Sequence, residues 1–537
     1  MNGLTLVIVS VVLFLVAYAT YGAWLGKKFG IDPSKKTPAH TMNDGIDYVP
    51  AKAPVLLGHH FSSIAGAGPI VGPIGAAIFG WIPVFLWIVI GSIFFGGVHD
   101  MGSMFASVRH KGQSIGEVIG TTMGKRGKQL FSIFAWLTLI LVIAAFANIV
   151  ANTFVSVPEA ASSSMLFIVL AIFFGYAVYR KGVSLGLGTV IGVALLILAI
   201  YIGTIFPLSL SKNVWMVILL GYIFVASVTP VWILLQPRDY LNSFLLYAML
   251  IGGVLGIVIM RPTIQLAGVT AFNVNGTYLF PMLFVTVACG AISGFHSLVG
   301  SGTTSKQLDN EKDIKVIGYG SMLIEGVLAT LAIITAAYLT GGKLTELLGS
   351  GGPVNVFSDG LGSFMTSFGI PFTVGKSFTA LAISAFAMTT LDTATRLARF
   401  IFQEMFSNEN QTKETVFTNR YGATAITVII AGTLSFYGWA TVWPLFGSAN
   451  QLLAALSLLA LAVWLKRSGK SFNFVVIPMI FMFSVTLVAL VLLISKSLAQ
   501  PVLLGFSVIL FILALVLIYE ASKALKGDNI SAVKIKP

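Results

Sequence analysis

Long apolar windows dominate the chain. An α-helix needs about 20 predominantly apolar residues to cross a bilayer core. On that measure about fifteen spans are predicted, near residues 4–25, 55–79, 82–107, 129–155, 160–179, 184–206, 215–236, 240–260, 280–300, 314–340, 377–398, 421–439, 443–465, 472–495 and 499–520. Most connections are short. Residues 26–54 and 108–128 form longer basic loops. Residues 341–376, rich in Gly, Ser and Pro, are expected to be an outer loop long enough to act as a lid. No stretch reads as a soluble domain, so the expected fold is an all-α polytopic membrane protein.

The second span departs from the helical pattern. Residues 58–75 read GHHFSSIAGAGPIVGPIG, with two prolines and five glycines inside a segment long enough to cross a membrane. Proline removes a backbone donor and clashes with the preceding turn, and glycine loosens the chain further. Broken backbone at membrane depth is tolerated only where protein or a water-filled cavity satisfies its polar groups. Secondary transporters build substrate and ion sites from such breaks. A kinked packing helix is the alternative, because Gly and Pro are common in spans. Span 7 carries a second candidate break at Thr229-Pro230-Val231-Trp232.

Composition strengthens the membrane reading: 57% of the 537 residues are hydrophobic, 9% are charged, and mean hydropathy is +0.93. The net charge of +13 would fit nucleic acid in a soluble chain. Here it follows topology. With the N-terminus outside, every Lys and Arg except Lys212, Arg261, Lys343, Lys376 and Lys496 falls on the cytoplasmic side, as the positive-inside rule requires. Nucleic acid is therefore not an expected partner. The C-terminus, with a polar tail over 521–537, is expected in the cytoplasm. Cys289 is the only cysteine, so no intrachain disulfide forms.

Ionisable groups at membrane depth cost about 2.5–3.5 kcal/mol each on insertion scales, and few are present. They are His59 and His60 in span 2, His99 and Asp100 in span 3, His296 in span 9, Glu325 in span 10 and Asp392 in span 11. Adjacent helical residues point about 100° apart, so His59 and His60 do not ligate one metal ion without unwinding. Asn148 and Asn152 share a face of span 4. On span 11, Thr389, Thr390 and Thr393 offer hydroxyls that suit a hard alkali cation or simply bond back to the preceding turn. Asp392 and Arg396 are spaced as an i, i+4 pair. Gly300-Ser301-Gly302 near His296 is weak ground for an intramembrane hydrolase, since no acidic orienter is evident.

Several runs resemble the carbon starvation protein A (CstA) family. They include Asn43-Asp44-Gly45-Ile46-Asp47-Tyr48-Val49-Pro50, Gly58-His59-His60-Phe61, Val98-His99-Asp100, Ser107-Val108-Arg109-His110-Lys111-Gly112 and Gln236-Pro237-Arg238-Asp239. Further runs are Ala288-Cys289-Gly290-Ala291-Ile292-Ser293-Gly294-Phe295-His296, Thr389-Thr390-Leu391-Asp392-Thr393-Ala394-Thr395-Arg396 and Pro444-Leu445-Phe446-Gly447-Ser448-Ala449-Asn450-Gln451. The resemblance implies a cytoplasmic-membrane transporter of peptides or pyruvate under carbon limitation, not an enzyme, with a LeuT-like (APC superfamily) inverted-repeat core. Residues 1–25 would then be an extra helix and 55–206 the first five-helix repeat. Residues 215–465 would be the second repeat with an inserted helix pair, and 472–520 C-terminal extra helices.

By that likeness the substrate, a small molecule or short peptide, would lie between the breaks of spans 2 and 7. The expected contacts are His59, His60, Ala65, Gly66, Gly68, Asn148, Asn152, Pro230, Trp232 and His296. Ser62, Ala65, Thr389, Thr390, Asp392 and Thr393 are the expected ion-coupling set, with Na+ at Thr389 and Thr390. His99, Asp100 and Glu325 are candidates for a proton relay. No cofactor is expected beyond a coupling H+ or Na+; the expected partners are the substrate and the lipid bilayer. A channel or a nutrient sensor of the same fold is the alternative.

Overall fold

A computed structural model of the chain describes residues 2–44, 48–230, 233–406 and 415–526. Trp232, and Gly45 to Asp47 of the first motif, lie outside them. The chain is almost wholly helical. Eleven helices among the described residues are long and apolar enough to span a membrane. They become twelve when the pair α2 (Ala53–Ile64) and α3 (Gly68–Phe79), bent by 46°, is one span.

Before that pair comes α1 (Gly3–Phe29); after it come α4 (Trp81–Arg109), α5 (Ile115–Ser156), α6 (Pro158–Tyr179) and α7 (Leu185–Ile205). Next are α8 (Lys212–Val228), α9 (Leu235–Met260), α10 (Leu279–Thr286) and α11 (Gly294–Val299). The remainder is α12 (Glu311–Ala337), α13 (Gly341–Met365), α14 (Phe372–Phe406), α15 (Arg420–Ser435), α16 (Trp439–Arg467), α17 (Asn473–Lys496) and α18 (Pro501–Lys526).

The structure departs from the hydropathy reading in three places. Three predicted spans, at α8, α10–α11 and α15, are too short or too broken to count among the twelve. Residues 341–376 are not an open loop: α13 occupies most of them, kinks at Gly352 (φ 73°), and buries Pro353 to Phe357 against the bundle. Its glycines hid the helix from a reading by composition. Span 7 is not broken in its middle. α8 ends at Val228, Thr229 turns extended, and Pro230 is exposed beyond the helix end. Proline here terminates a helix, the position where its missing N–H costs least.

α5 is the central pillar. Ser114 caps its N-terminus by accepting from the Glu117 N–H, the Ser-x-x-Glu arrangement that satisfies an otherwise orphaned donor. From Phe134 to Ala147 nearly every α5 residue is buried, packed mainly against α14 and α16. A helix apolar on all sides is expected only where others surround it. α6 and α7 pack chiefly on each other and expose Phe173, Val190 and Ile197. Those faces suit lipid.

Segments expected on one side of the membrane meet in the structure. At one end the Gly3 N–H donates to the Pro262 carbonyl (2.7 Å), Gln265 to Ala337 (2.8 Å) and the Lys496 Nζ to Gly276 (3.0 Å). At the other, Glu311 accepts from the Asp32 N–H and from Arg109, both at 2.9 Å, and Arg467 donates to the Thr121 carbonyl.

Candidate functional site: two broken helices and two buried polar clusters

α2 stops where Ala65 leaves helical geometry (ψ 60°), and the Gly66 N–H closes a tight turn onto the Ile64 carbonyl at 2.8 Å. α3 then starts with Gly68-Pro69, so proline occupies the first turn, where its N–H would have no partner anyway. The second break is in the predicted ninth span. α10 ends at Thr286, residues 287–293 are non-helical, and α11 begins after Ser293. The two breaks touch. A Cβ on Gly68 would lie 2.5 Å from Cys289 Cβ, and one on Gly72 would lie 2.5 Å from the Thr286 carbonyl oxygen. Only glycine allows backbones this close.

α16 supplies partners for the backbone groups that the second break leaves unpaired. Trp443 Nε1 donates to the Thr286 carbonyl (3.1 Å) and Gln451 Nε2 to the Phe284 carbonyl (2.6 Å). Asn450 accepts the Phe295 N–H at 2.9 Å, and its Nδ2 donates to Ser293 Oγ at 3.0 Å. Seven residues separate Trp443 from Asn450, which is two turns, so both face the break. A small cavity of about 10 Å³, roughly room for one water, lies between the breaks. Ile64, Gly68, Phe146, Cys289, Ser293 and Thr390 line it. In this conformation the site is closed.

Two buried polar clusters flank α2. In the first, Asp100 accepts from His99 Nδ1 (2.7 Å) and His296 Nδ1 (2.8 Å), while His296 Nε2 lies 3.4 Å from Glu325 Oε2. His60 faces this cluster and bonds through Nδ1 to Thr304 Oγ1 at 2.8 Å. In the second, Arg238 bonds to Asp392 and Tyr222, to Asp239 at 3.0 Å and to Thr389 Oγ1 at 3.2 Å. Asn242 also donates to Thr389 Oγ1 (2.9 Å), which in turn donates to Asp239 (3.0 Å). Asp239 of this cluster is the charged group whose field reaches His59. The two adjacent histidines point about 100° apart on α2 and so do not share one set of partners. Among the described residues no three His, Cys, Asp or Glu side chains are arranged to hold a metal ion.

Several expected site residues are placed elsewhere. Asn148 and Asn152 do share a face and bond at 3.0 Å, but Asn148 also donates to the Ser435 carbonyl at 2.7 Å. Phe146, two residues earlier and so about 200° around the helix, points into the cavity instead. Asp392 pairs with Arg238 rather than Arg396, whose guanidinium caps α8 by donating to the carbonyls of Ala226 (2.9 Å) and Thr229. The threonines divide: Thr390 borders the cavity, while Thr389 is held by Arg238 and Asn242. Ser62 bonds back to the Gly58 carbonyl (2.9 Å), and Thr393 is half-buried. Pro230 is not among the residues that line the cavity.

Sequence reasoning did not select Cys289, Ser293, Arg238, Asn242, Trp443, Asn450 and Gln451 as site residues. The adjacent Asn450-Gln451 amides in an otherwise apolar window were the available signal.

A structure of the Eremococcus coleocola manganese transporter shares this fold, with a TM-score of 0.50 over 90% of this chain and 99% of that one at 12% identity. Curated relatives are closer in sequence. The peptide transporter CstA of Campylobacter jejuni is 33% identical, over 90% of this chain and 79% of its own. The pyruvate/proton symporter BtsT of Escherichia coli is 32% identical over 91% and 81%, and the peptide transporter CstA of Bacillus subtilis 30% over 96% and 95%. The model of the carbon starvation protein CstA family matches residues 2–349 and 342–489, and the chain belongs to that family.

Proposed function

We propose that the chain is a secondary active symporter that imports pyruvate or short peptides by alternating access, in the cytoplasmic membrane with its N-terminus outside, when other carbon is scarce. One observation carries this reading: two helices of opposite direction are broken at the same depth, and their breaks close on a common cavity. An anionic carboxylate suits that place, because the positive end of α3 starts there, as in the broken helices of other transporters. The cavity is far smaller than pyruvate, so loading requires the half-helices to part. The proton is the favoured coupling ion. A guanidinium 3.2 Å from Thr389 Oγ1 opposes sodium at that hydroxyl, and a histidine–carboxylate cluster lies beside the break.

The order of elements supports a two-repeat core. A broken helix (α2–α3), a helix with one wide π-turn (α4) and a long helix (α5) lead, after α6 and α7, to short α8 and long α9. The same order returns as broken α10–α11, π-interrupted α12 and long α14, then short α15 and long α16. On this reading the inserted pair is α6–α7, the core repeats begin at Ala53 and Leu279, and α13 is an added hairpin.

Purified protein in liposomes, given labelled pyruvate or a labelled dipeptide, tests the function. Accumulation under an inward proton gradient that a protonophore collapses is expected. Uptake indifferent to both proton and sodium gradients would overturn the reading.

A further inference from the structure

Resting on the proton-coupled reading, we propose that the transported proton is held between His296 and Glu325, with Asp100 as the fixed countercharge. Asp100 has both oxygens engaged by imidazole N–H groups, from His99 at 2.7 Å and His296 at 2.8 Å. A carboxylate with two such donors is satisfied as an anion. Glu325 is its opposite. It is fully buried, neither oxygen has a hydrogen-bond partner, and His296 Nε2, itself unbonded, lies 3.4 Å from Oε2.

Proton counting then follows from the geometry. With His296 Nδ1–H committed to Asp100, Nε2 and the Glu325 oxygen are both acceptors unless one more proton lies on one of them. A bare carboxylate facing a bare ring nitrogen, away from water, carries a desolvation penalty of several kcal/mol with nothing to offset it. The closed state therefore holds one extra proton on the pair, as carboxylic acid or as imidazolium, and the proton belongs to the pair rather than to either residue. The cluster then carries a single net negative charge; loss of the proton makes two.

The position couples this charge to the substrate cavity. His296 is three residues beyond Ser293, on the short helix whose start lines the cavity, and Glu325 stands on α12. The remaining ionisable neighbours are few. His60 on α2 faces Asp100 and His296, His99 neighbours Asp100 on α4, and Cys289 in the break feels Glu325. A proton enters from the outer water with substrate bound. Its release inward leaves Asp100 and Glu325 repelling across a neutral imidazole, which favours a conformation that admits water between α11 and α12. No bond other than N–H or O–H is made or broken.

The test uses whole protein in liposomes and labelled pyruvate, with a labelled dipeptide in parallel. In E325Q, accumulation above equilibrium under a pH gradient is lost, while labelled-for-unlabelled counterflow persists. E325D restores coupling with a shifted pH dependence, which a purely structural role would not do. Infrared difference spectra of the purified protein between mildly acidic and mildly alkaline pH show a carboxyl–imidazole signal that disappears in E325Q and H296Q alike. This last readout needs no transport. Undiminished pH-driven accumulation in E325Q, or unchanged spectra, overturns the assignment alone. A wild-type protein that accumulates neither probe overturns the transport reading beneath it.

Discussion

Two clusters of charge flank the inner half-helix α2, one on each side, and they are built on opposite principles. Around Arg238, a permanently charged guanidinium meets Asp239, Asp392, Tyr222 and Thr389, and most of its donors are used. Around His296, Asp100 is satisfied by two imidazoles, but the Nε2 atoms of His99 and His296 are unbonded and Glu325 has no hydrogen bond at all. Burial is the same in both. The difference is whether the charges are fixed. A fixed charge with most of its donors used ties α8, α9 and α14, which contribute Tyr222, Arg238 and Asp392; the titratable groups left partly open are where the proposed switch lies. α2 carries His59 and His60 between them, and His60 is held by Thr304.

Removing the fixed partner is the severest way to challenge that contrast. Arg238→Met leaves two buried carboxylates unpaired and is expected to cost about 3–5 kcal/mol, measured as loss of thermal stability in detergent. Adding Asp392→Leu recovers part of the loss. An unchanged single variant would mean that the cluster is no tie.

Next in size is the close approach of the two breaks. Gly72→Ala places a methyl 2.5 Å from the Thr286 carbonyl, where backbone must yield. A cost of about 1–3 kcal/mol is typical of overpacking, and uptake should fall more than stability, because the displaced carbonyl lies at the second break. The mildest change is Thr389→Val, which removes one hydroxyl and its bonds for about 1 kcal/mol. Proton-driven uptake should persist and remain indifferent to sodium. A sodium-dependent wild type that becomes sodium-independent in this variant would instead return the cation site to the threonines.

Much of the fold was legible because a bilayer permits few solutions. The apolar windows marked helical segments, and the Lys and Arg bias marked which ends belong together, as the Gly3–Pro262 and Asp32–Glu311 contacts bear out. The break at Ala65 was legible too, since glycine and proline act on their own turn of helix. The second break was misassigned. Pro230 is a conspicuous breaker in sequence but only ends α8, whereas residues 287–293 break a helix without any proline, held open by Trp443, Asn450 and Gln451 from a helix about 160 residues away in the chain.

The same division holds for the polar groups. Sequence alone singled out His60, His99, Asp100, His296, Glu325 and Asp392, all of them buried, because ionisable residues in apolar windows stand out, but it passed over Arg238 and Asp239 at a span end. Spacing along one helix suggested that Asp392 pairs with Arg396. Tertiary packing decided otherwise, because Arg238 on α9 reaches Asp392 directly while Arg396 turns to the free carbonyls of α8. Local chemistry is written in the order of residues; which charge meets which depends on how helices distant in sequence are brought to the same depth.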